Sequence, residues 1–472
     1  MAFSSLTFLY CFLPFCLLLY FAGRSISYKN WVLVAFSVVF YAWGEPVYVI
    51  LLVVSAWLNY LLGRKIGACG DRGGKKWLVL AVIINLGLLA VFKYTGFLVS
   101  NLNHIAGLNL PVPKIKLPIG ISFYTFQAIS YVIDVYRKEV EVQFSYRDFL
   151  LYIALFPKLN AGPIARYSEV GPQLARRRTT SEGAFYGATR FCMGLGKKVL
   201  IANYTGKIAT RLLDGDLTSL STVGAWLGIL MFTFEIYFDF SGYSDMAIGL
   251  GRIFGFTYAE NFNLPYISKS ITEFWRRWHI SLSSFFRDYV YIPLGGNRRH
   301  QVLNLLIVWG LTGLWHGASW NFVLWGLYFF VLLWIEKRNK RALKRVPAMV
   351  RHLMTMFFVV VGWALFYCTD FSRLGLTLGT MFGLKGAGFA GGQTGIMLLN
   401  NLPLLVVCII GSSAAPRIFG LALGAWCAGP QKVRTRQIVY TLLVFTFDMA
   451  LLLLVTVSLI GSSYSPFLYF QF

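Results

Sequence analysis

Apolar runs of about 20 residues recur along this chain, separated by short segments rich in Lys, Arg, Gly and Pro. A helix rises 1.5 Å per residue, so a run of that length crosses the roughly 30 Å hydrocarbon core of a bilayer. The pattern predicts an all-α polytopic membrane protein with about eleven transmembrane helices. Among them are 6–22, 77–99, 117–136, 187–208, 223–251, 353–370, 394–412 and 437–461. Loop charges orient these spans, because Lys and Arg collect on the cytoplasmic side. Arg64, Lys65, Arg72, Lys75 and Lys76 mark the first strong cytoplasmic loop, and the basic run 337–351 marks a later one. Counting back through the turn Gly44-Glu45-Pro46 and the Arg24 to Lys29 segment places the N-terminus outside. The run 6–22 has its basic residues after it rather than before it. That is the reverse of a cleavable signal, so it reads as an anchor.

Several stretches depart from simple spans. Residues 149–163 carry Pro157, Lys158, Asn160, Gly162 and Pro163 and have cytoplasmic-type charge on both flanks. They read as a re-entrant or interfacial segment, which needs protein or a water-filled cavity to cover its irregular backbone. The arms 302–315 and 321–335 are about 14–15 residues each, or roughly 21–23 Å as helix. They fall short of a full crossing, which predicts that the turn carrying His316 lies inside the membrane. Residues 252–300 are polar enough to be a cytoplasmic-side segment of short helices. Residues 383–395 read as a Gly-rich loop and 463–472 as an aromatic interfacial ending. No internal repeat supports an inverted-repeat transporter. A single membrane domain over 1–472 is the simplest organisation.

Composition sharpens this picture. The chain is 57% hydrophobic and 13% charged, which excludes a dispersed soluble domain. Its net charge of +24 would suggest nucleic acid in a soluble chain. Here the basic residues sit between spans, where anionic lipid headgroups attract them, and no nucleic-acid module is present. The seven cysteines form neither a CxxC pair nor a zinc spacing, so they read as small core hydrophobes and no metal site is expected.

Only five histidines occur in 472 residues, and two stand beside tryptophan. They lie in Trp275-Arg276-Arg277-Trp278-His279-Ile280-Ser281 and in Gly313-Leu314-Trp315-His316-Gly317. An ionisable side chain at membrane depth is costly and marks a candidate site. His316 is either a structural hydrogen-bond partner or a base that takes a proton from an attacking hydroxyl or thiol. Gly313 and Gly317 would let a substrate approach, and Trp315 and Trp320 could wall a dry pocket. His279 lies either in an interfacial aromatic–basic helix or beside arginines (Arg276, Arg277, Arg287) that hold the phosphates of a nucleotide-based acyl carrier. Glu235, Asp239 and Asp245 lie in one apolar span, as a proton or ion relay or as structural partners of arginines and tyrosines. The hydroxyls and amide of 117–127 line a tunnel or stitch helices together.

Taken together, several stretches resemble the membrane-bound O-acyltransferase family, in its bacterial branch for exopolysaccharide O-acetylation. They are 117–127 with Tyr131, Asp134 and Tyr136; Phe156-Pro157-Lys158 with Ala161-Gly162-Pro163-Ile164; 238–251; 260–266; 275–296; 313–317; and the ending 465–470. The resemblance implies a ring of tilted helices, with shorter re-entrant helices, around a central tunnel. It implies His316 as the catalytic residue, with His279 as a second catalytic position. It also draws Trp275, Arg276, Arg277, Trp278, Arg287, Asp288, Asn263, Trp315, Tyr243 and Asp245 into the substrate- or donor-binding set.

The implied activity moves an acetyl group from cytoplasmic acetyl-CoA, a substrate rather than a bound cofactor, to an extracytoplasmic polysaccharide such as alginate. The implied setting is the bacterial inner membrane, with a periplasmic esterase-like partner and a polysaccharide assembly complex. Peptidoglycan O-acetylation and carrier-protein-dependent D-alanyl transfer are alternatives within the family. An acyl-group conduit whose partner does the chemistry is an alternative of another class.

Overall fold

The computed structural model describes residues 1–427, 433–461 and 467–468, without the side chains of 70–72, 392, 393, 427, 433 and 434. Most of the expected ending 463–472 therefore lies outside the described residues. The described chain is helical throughout, with no strand among the described residues. Six helices are long and apolar enough to cross a membrane: Tyr48–Cys69, Gly73–Ala106, Thr222–Ile253, Ala348–Tyr367, Thr394–Ser412 and Thr435–Ile460. The protein is a multi-pass membrane protein. Other expected crossings fold as helices of different length, such as Ile26–Gly44, Ile121–Tyr136 and Gln301–His316.

The contacts group into two compact units. The first comprises Met1–Phe191 and Ser244–Glu260, the second Cys192–Tyr243 and Asn261–Phe472. Sequence continuity hides this division, because the helices Ser181–Gly196 and Thr222–Ile253 each run unbroken from one unit into the other.

In the first unit, helix runs from Tyr48 to Ala106. Asn59 and Asn85 nonetheless exchange amide hydrogen bonds of 3.2 and 2.7 Å. Straight helix would hold residues 26 apart at about 39 Å. The run must therefore fold back on itself, as the basic loop between two spans predicted. Helix Ile121–Tyr136 is buried over nearly its whole length. Residues 146–159 break into Tyr146–Ala154 and Phe156–Leu159 at Leu155. Lys158 is fully buried there and donates to the Gln127 side chain and the Tyr152 carbonyl. Its ammonium is pushed well down by that burial. This stitching covers the irregular backbone of 155–163 with protein.

The second unit holds the site. Its elements are α1 (Thr222–Ile253, through Tyr243), α2 (Ile271–Arg277), α3 (Ile280–Phe286), α4 (Gln301–His316), α5 (Trp320–Arg338) and α6 (Ala348–Tyr367). Helices α4 and α5 form a tight hairpin. A Cβ on Gly313 would lie 2.3 Å from the Phe322 carbonyl oxygen, and one on Gly326 would lie 2.4 Å from that of Trp309. Only glycine lets two backbones approach so closely, as in other membrane helix pairs. The arms are 16 and 19 residues, longer than the apolar pattern suggested. Backbone hydrogen bonding carries α4 through Gln301 and α5 through Lys337 and Arg338, so the arms reach roughly 24 and 28 Å.

Candidate active site

Helix α2 begins at Ser270, whose hydroxyl accepts the Glu273 N–H at 3.0 Å. The Glu336 carboxylate, from the end of α5, accepts the N–H groups of Ile271 (2.6 Å) and Thr272 (3.2 Å). An anion there satisfies the free donors of a helix start and favours the helix dipole. The helix stops at Arg277, and two residues later His279 takes a left-handed conformation, φ 44° and ψ 56°. That turn separates α2 from α3. It is braced by the strand-like segment before it: Asn263 N donates to the Arg277 carbonyl (2.9 Å) and Ile280 N to the Asn261 carbonyl (2.9 Å).

A cavity of about 1410 Å³ opens beside this junction. Small-ligand sites usually hold about 300–1,000 Å³, so there is room for a large or elongated substrate. Both candidate histidines line it. Its aromatic wall includes Trp275, Trp278 and Trp309, and its basic residues are Lys269, Arg276, Arg287, Lys337, Lys340, Lys344 and Arg351. The two acids at the cavity are otherwise engaged, Glu336 with the start of α2 and Glu273 with Arg277 at 2.9 Å. The balance there is cationic, which suits a phosphate-bearing ligand.

His316 is the last residue of α4 and is 7% exposed. Its ring meets Trp315, Trp325 and Phe366 at centroid distances of 5.0, 5.0 and 5.3 Å, edge to face in each case. It also lines a second pocket of about 20 Å³ with Asp239, Trp278, Trp363 and Leu468. Trp315 stands against both histidines, since its ring lies 5.7 Å from that of His279. The two histidines, 37 positions apart in sequence, thus come to one cavity.

His279 is 2% exposed. It packs edge-on against Phe240 at 4.7 Å, and its Nδ1 lies 3.1 Å from Asn261 Oδ1. Burial pushes its pKa down to about 3, so the imidazole stays neutral near pH 7. Neutral imidazole is the form that accepts a proton.

The other expected site residues divide. Trp275, Trp278, Arg276 and Arg287 line the cavity with the histidines. Arg276 is exposed and makes no ion pair among the described residues, while Arg287 holds the neighbouring Asp288 at 2.6 Å. Arg277 is tied to Glu273, and its guanidinium also donates to the Asn263 carbonyl at 3.0 Å. Asn263 is exposed and acts through its backbone. Tyr243 packs on Phe467, ring to ring at 4.6 Å. Asp245, in the first unit, is held by Arg190 at 2.9 Å. Asp239 is buried against the Lys198 ammonium and accepts the Leu468 N–H at 2.8 Å. The carboxylates Asp239 and Asp245 are therefore ion-paired.

Three features escaped sequence reasoning. Trp325 and Trp363 belong to distant helices, and nothing in their spacing ties them to the histidines. Asn261 lay in a recognised stretch, but an asparagine beside a glutamate carries no signal for a buried acceptor.

The profile of the MBOAT, membrane-bound O-acyltransferase, family matches residues 137–377, which include both histidines and the hairpin. The chain belongs to this family. As an O-acyltransferase it is similar over its full length to the probable alginate O-acetylase AlgI of Pseudomonas aeruginosa, 39% identical with all of both chains covered. It is 40% identical to that of Azotobacter vinelandii, again over both whole chains. It is also 36% identical to the peptidoglycan O-acetyltransferase of Helicobacter pylori, over 81% of this chain and 80% of that one. The cavity thus joins a cationic region to two buried imidazoles. Such a site can attract a phosphorylated acyl donor and accept the proton of an attacking hydroxyl.

Proposed function

We propose that this acyltransferase moves an acetyl group from cytoplasmic acetyl-CoA to an extracytoplasmic polysaccharide, alginate-like as for its full-length relatives. One observation carries the reading: His316 and His279 line the same large cavity, whose charged groups are mostly basic. Arg276, with no ion pair among the described residues, and Arg287 attract the donor phosphates. The aromatic wall of Trp275, Trp278 and Trp309 keeps the thioester end dry. His316 acts as general base. The accepting hydroxyl oxygen attacks the thioester carbonyl carbon while its proton passes to the imidazole, and that proton then returns to the departing thiolate. His279 assists by hydrogen bonding at the same centre.

The working setting is the bacterial inner membrane, with the N-terminus in the periplasm and residues 1–472 acting as one acyltransferase domain. A ring of about eleven helices around a tunnel would carry the acetyl group between faces. A periplasmic esterase-like partner and a polysaccharide assembly complex would complete delivery. Peptidoglycan as acceptor is the second reading, favoured by the Helicobacter pylori relative. A conduit built on intramembrane acids is disfavoured by the engagement of Asp239 with Lys198 and of Asp245 with Arg190.

The test is His316→Ala, assayed with labelled acetyl-CoA and by polymer acetylation in cells. General base catalysis supplies about 10²–10⁴-fold, so the variant should insert normally and lose at least 100-fold. Near-normal acetylation would sink the assignment.

A further inference from the structure

We propose that Asn261 is a positioning residue: it locks His279, whose ring lines the cavity, in the tautomer protonated on Nδ1 and leaves Nε2 purely as a hydrogen-bond acceptor. The inference rests on the reading that His279 takes part in the reaction.

The argument begins with a group that can only donate. The backbone N–H of Ser281 lies 3.3 Å from the Asn261 side chain, and the Ser281 hydroxyl lies 2.9 Å from the same atom. A backbone N–H cannot accept, so the atom facing it is the amide oxygen and not the amide nitrogen. His279 Nδ1 approaches that same oxygen at 3.1 Å. That oxygen cannot donate, and the Ser281 hydroxyl, 3.5 Å from Nδ1, gives its hydrogen to the nearer Asn261 oxygen at 2.9 Å, so Nδ1 carries the hydrogen. A neutral imidazole has one N–H, and burial opposes adding a second. Nε2 is therefore bare. It is buried, with no hydrogen-bond partner among the described residues, and its ring lines the large cavity.

The backbone reinforces the choice. Asn261 is wholly buried and its carbonyl accepts Ile280 N–H at 2.9 Å, so the residue grips the left-handed turn on both sides of the ring. The other faces of the ring are covered by Phe240 and Trp315, neither of which offers it a charge. A left-handed histidine is strained and persists only where its surroundings hold it.

The consequence is specific. His279 in this tautomer can accept a hydrogen from a substrate hydroxyl, thiol or amide. It cannot donate one to the thioester oxygen, so it cannot serve as an oxyanion donor.

Nitrogen NMR of the full-length protein labelled with [15N]histidine tests this directly. Five histidines keep the spectrum assignable, with His279→Gln identifying the signal. The expected result is a neutral ring protonated on Nδ1. A proton on Nε2, or on both nitrogens at pH 7, overturns the proposal. Asn261→Asp keeps an oxygen in place and should keep the Nδ1 proton. Asn261→Leu should release the ring to a mixed tautomer and lower kcat on the order of 10²-fold at nearly unchanged donor KM. Retention of both the wild-type tautomer and kcat in Asn261→Leu also overturns it. An Nδ1-protonated ring combined with full activity of His279→Gln would instead reject the role of His279 in the reaction, leaving Asn261's hold on the ring intact.

Discussion

Replacing Gly313 by Ala probes the hairpin that carries His316. The added methyl would lie 2.3 Å from the Phe322 carbonyl oxygen, whereas real Cβ contacts begin at about 3.0–3.4 Å. The obstacle is backbone rather than a flexible side chain, so α4 and α5 must separate by about 0.7–1 Å. Overpacking of that kind costs roughly 1–3 kcal/mol. The larger effect falls on chemistry, because Gly313 is one turn before His316 and a misplacement of about 1 Å can cost about 10²-fold in rate. Acetyl transfer from labelled acetyl-CoA should fall by one to two orders of magnitude, with the melting temperature lowered by several degrees. Gly310→Ala supplies the control on the same helix. Its Cβ would meet nothing within 4 Å, and alanine is favoured over glycine in a helix by about 1 kcal/mol. That variant should be as active as wild type and at least as stable. Transfer within twofold of wild type in Gly313→Ala, with an unchanged melting temperature, would refute the claim that backbone contact sets the position of His316.

Three further outcomes follow from the same structure. Lys198→Met should lower the melting temperature sharply, because it leaves the Asp239 carboxylate buried without its cation at a cost of about 3–5 kcal/mol; adding Asp239→Asn should recover much of the loss, and equal stability of the single and double variants would count against the pairing. Arg276→Gln should raise the KM for acetyl-CoA roughly fivefold, about 1 kcal/mol for an exposed charge, with kcat unchanged and the difference shrinking in high salt; an unaltered KM would remove Arg276 from the donor site. His279 has a folded pKa of about 3 against about 6.5 when free, so the unfolded chain binds the proton first; its contribution is full above about pH 6.5 and declines by about 1.4 kcal/mol per unit as pH falls toward 3. Melting temperatures from pH 7.5 to 5 should show this slope in wild type and lose it in His279→Gln, and identical slopes would contradict it.

Much of this was legible one-dimensionally. The long apolar helices, the basic fold-back near residue 70 and the broken helix around Pro157 follow from hydrophobic length, charge and Pro/Gly placement. Those signals are local: a helix long enough to cross a bilayer satisfies its own backbone hydrogen bonds whatever its neighbours are. The two tryptophan–histidine motifs also stood out, because ionisable groups are rare in such a chain.

The rest depended on contacts between residues far apart in sequence. Glu273 stands four residues before Arg277, a local i,i+4 pairing that the sequence does offer, but that Arg276 then lines the cavity is set by the fold around it. Glu336 reaches the start of α2 from 65 residues away, and Asn261 meets the His279 ring from 18 residues away. The division into two units was likewise invisible, since continuous helices carry the chain from one to the other.

The sequence by itself determined the class of this protein, its membrane-spanning helices and the two histidines worth suspecting. Tertiary structure alone decided that those histidines share a cavity, that Arg276 rather than Arg277 lines it, and that Asn261 meets the His279 ring. Hydrophobic periodicity encodes burial, but hydrogen-bond direction and charge pairing exist only between groups that folding has brought within about 3 Å.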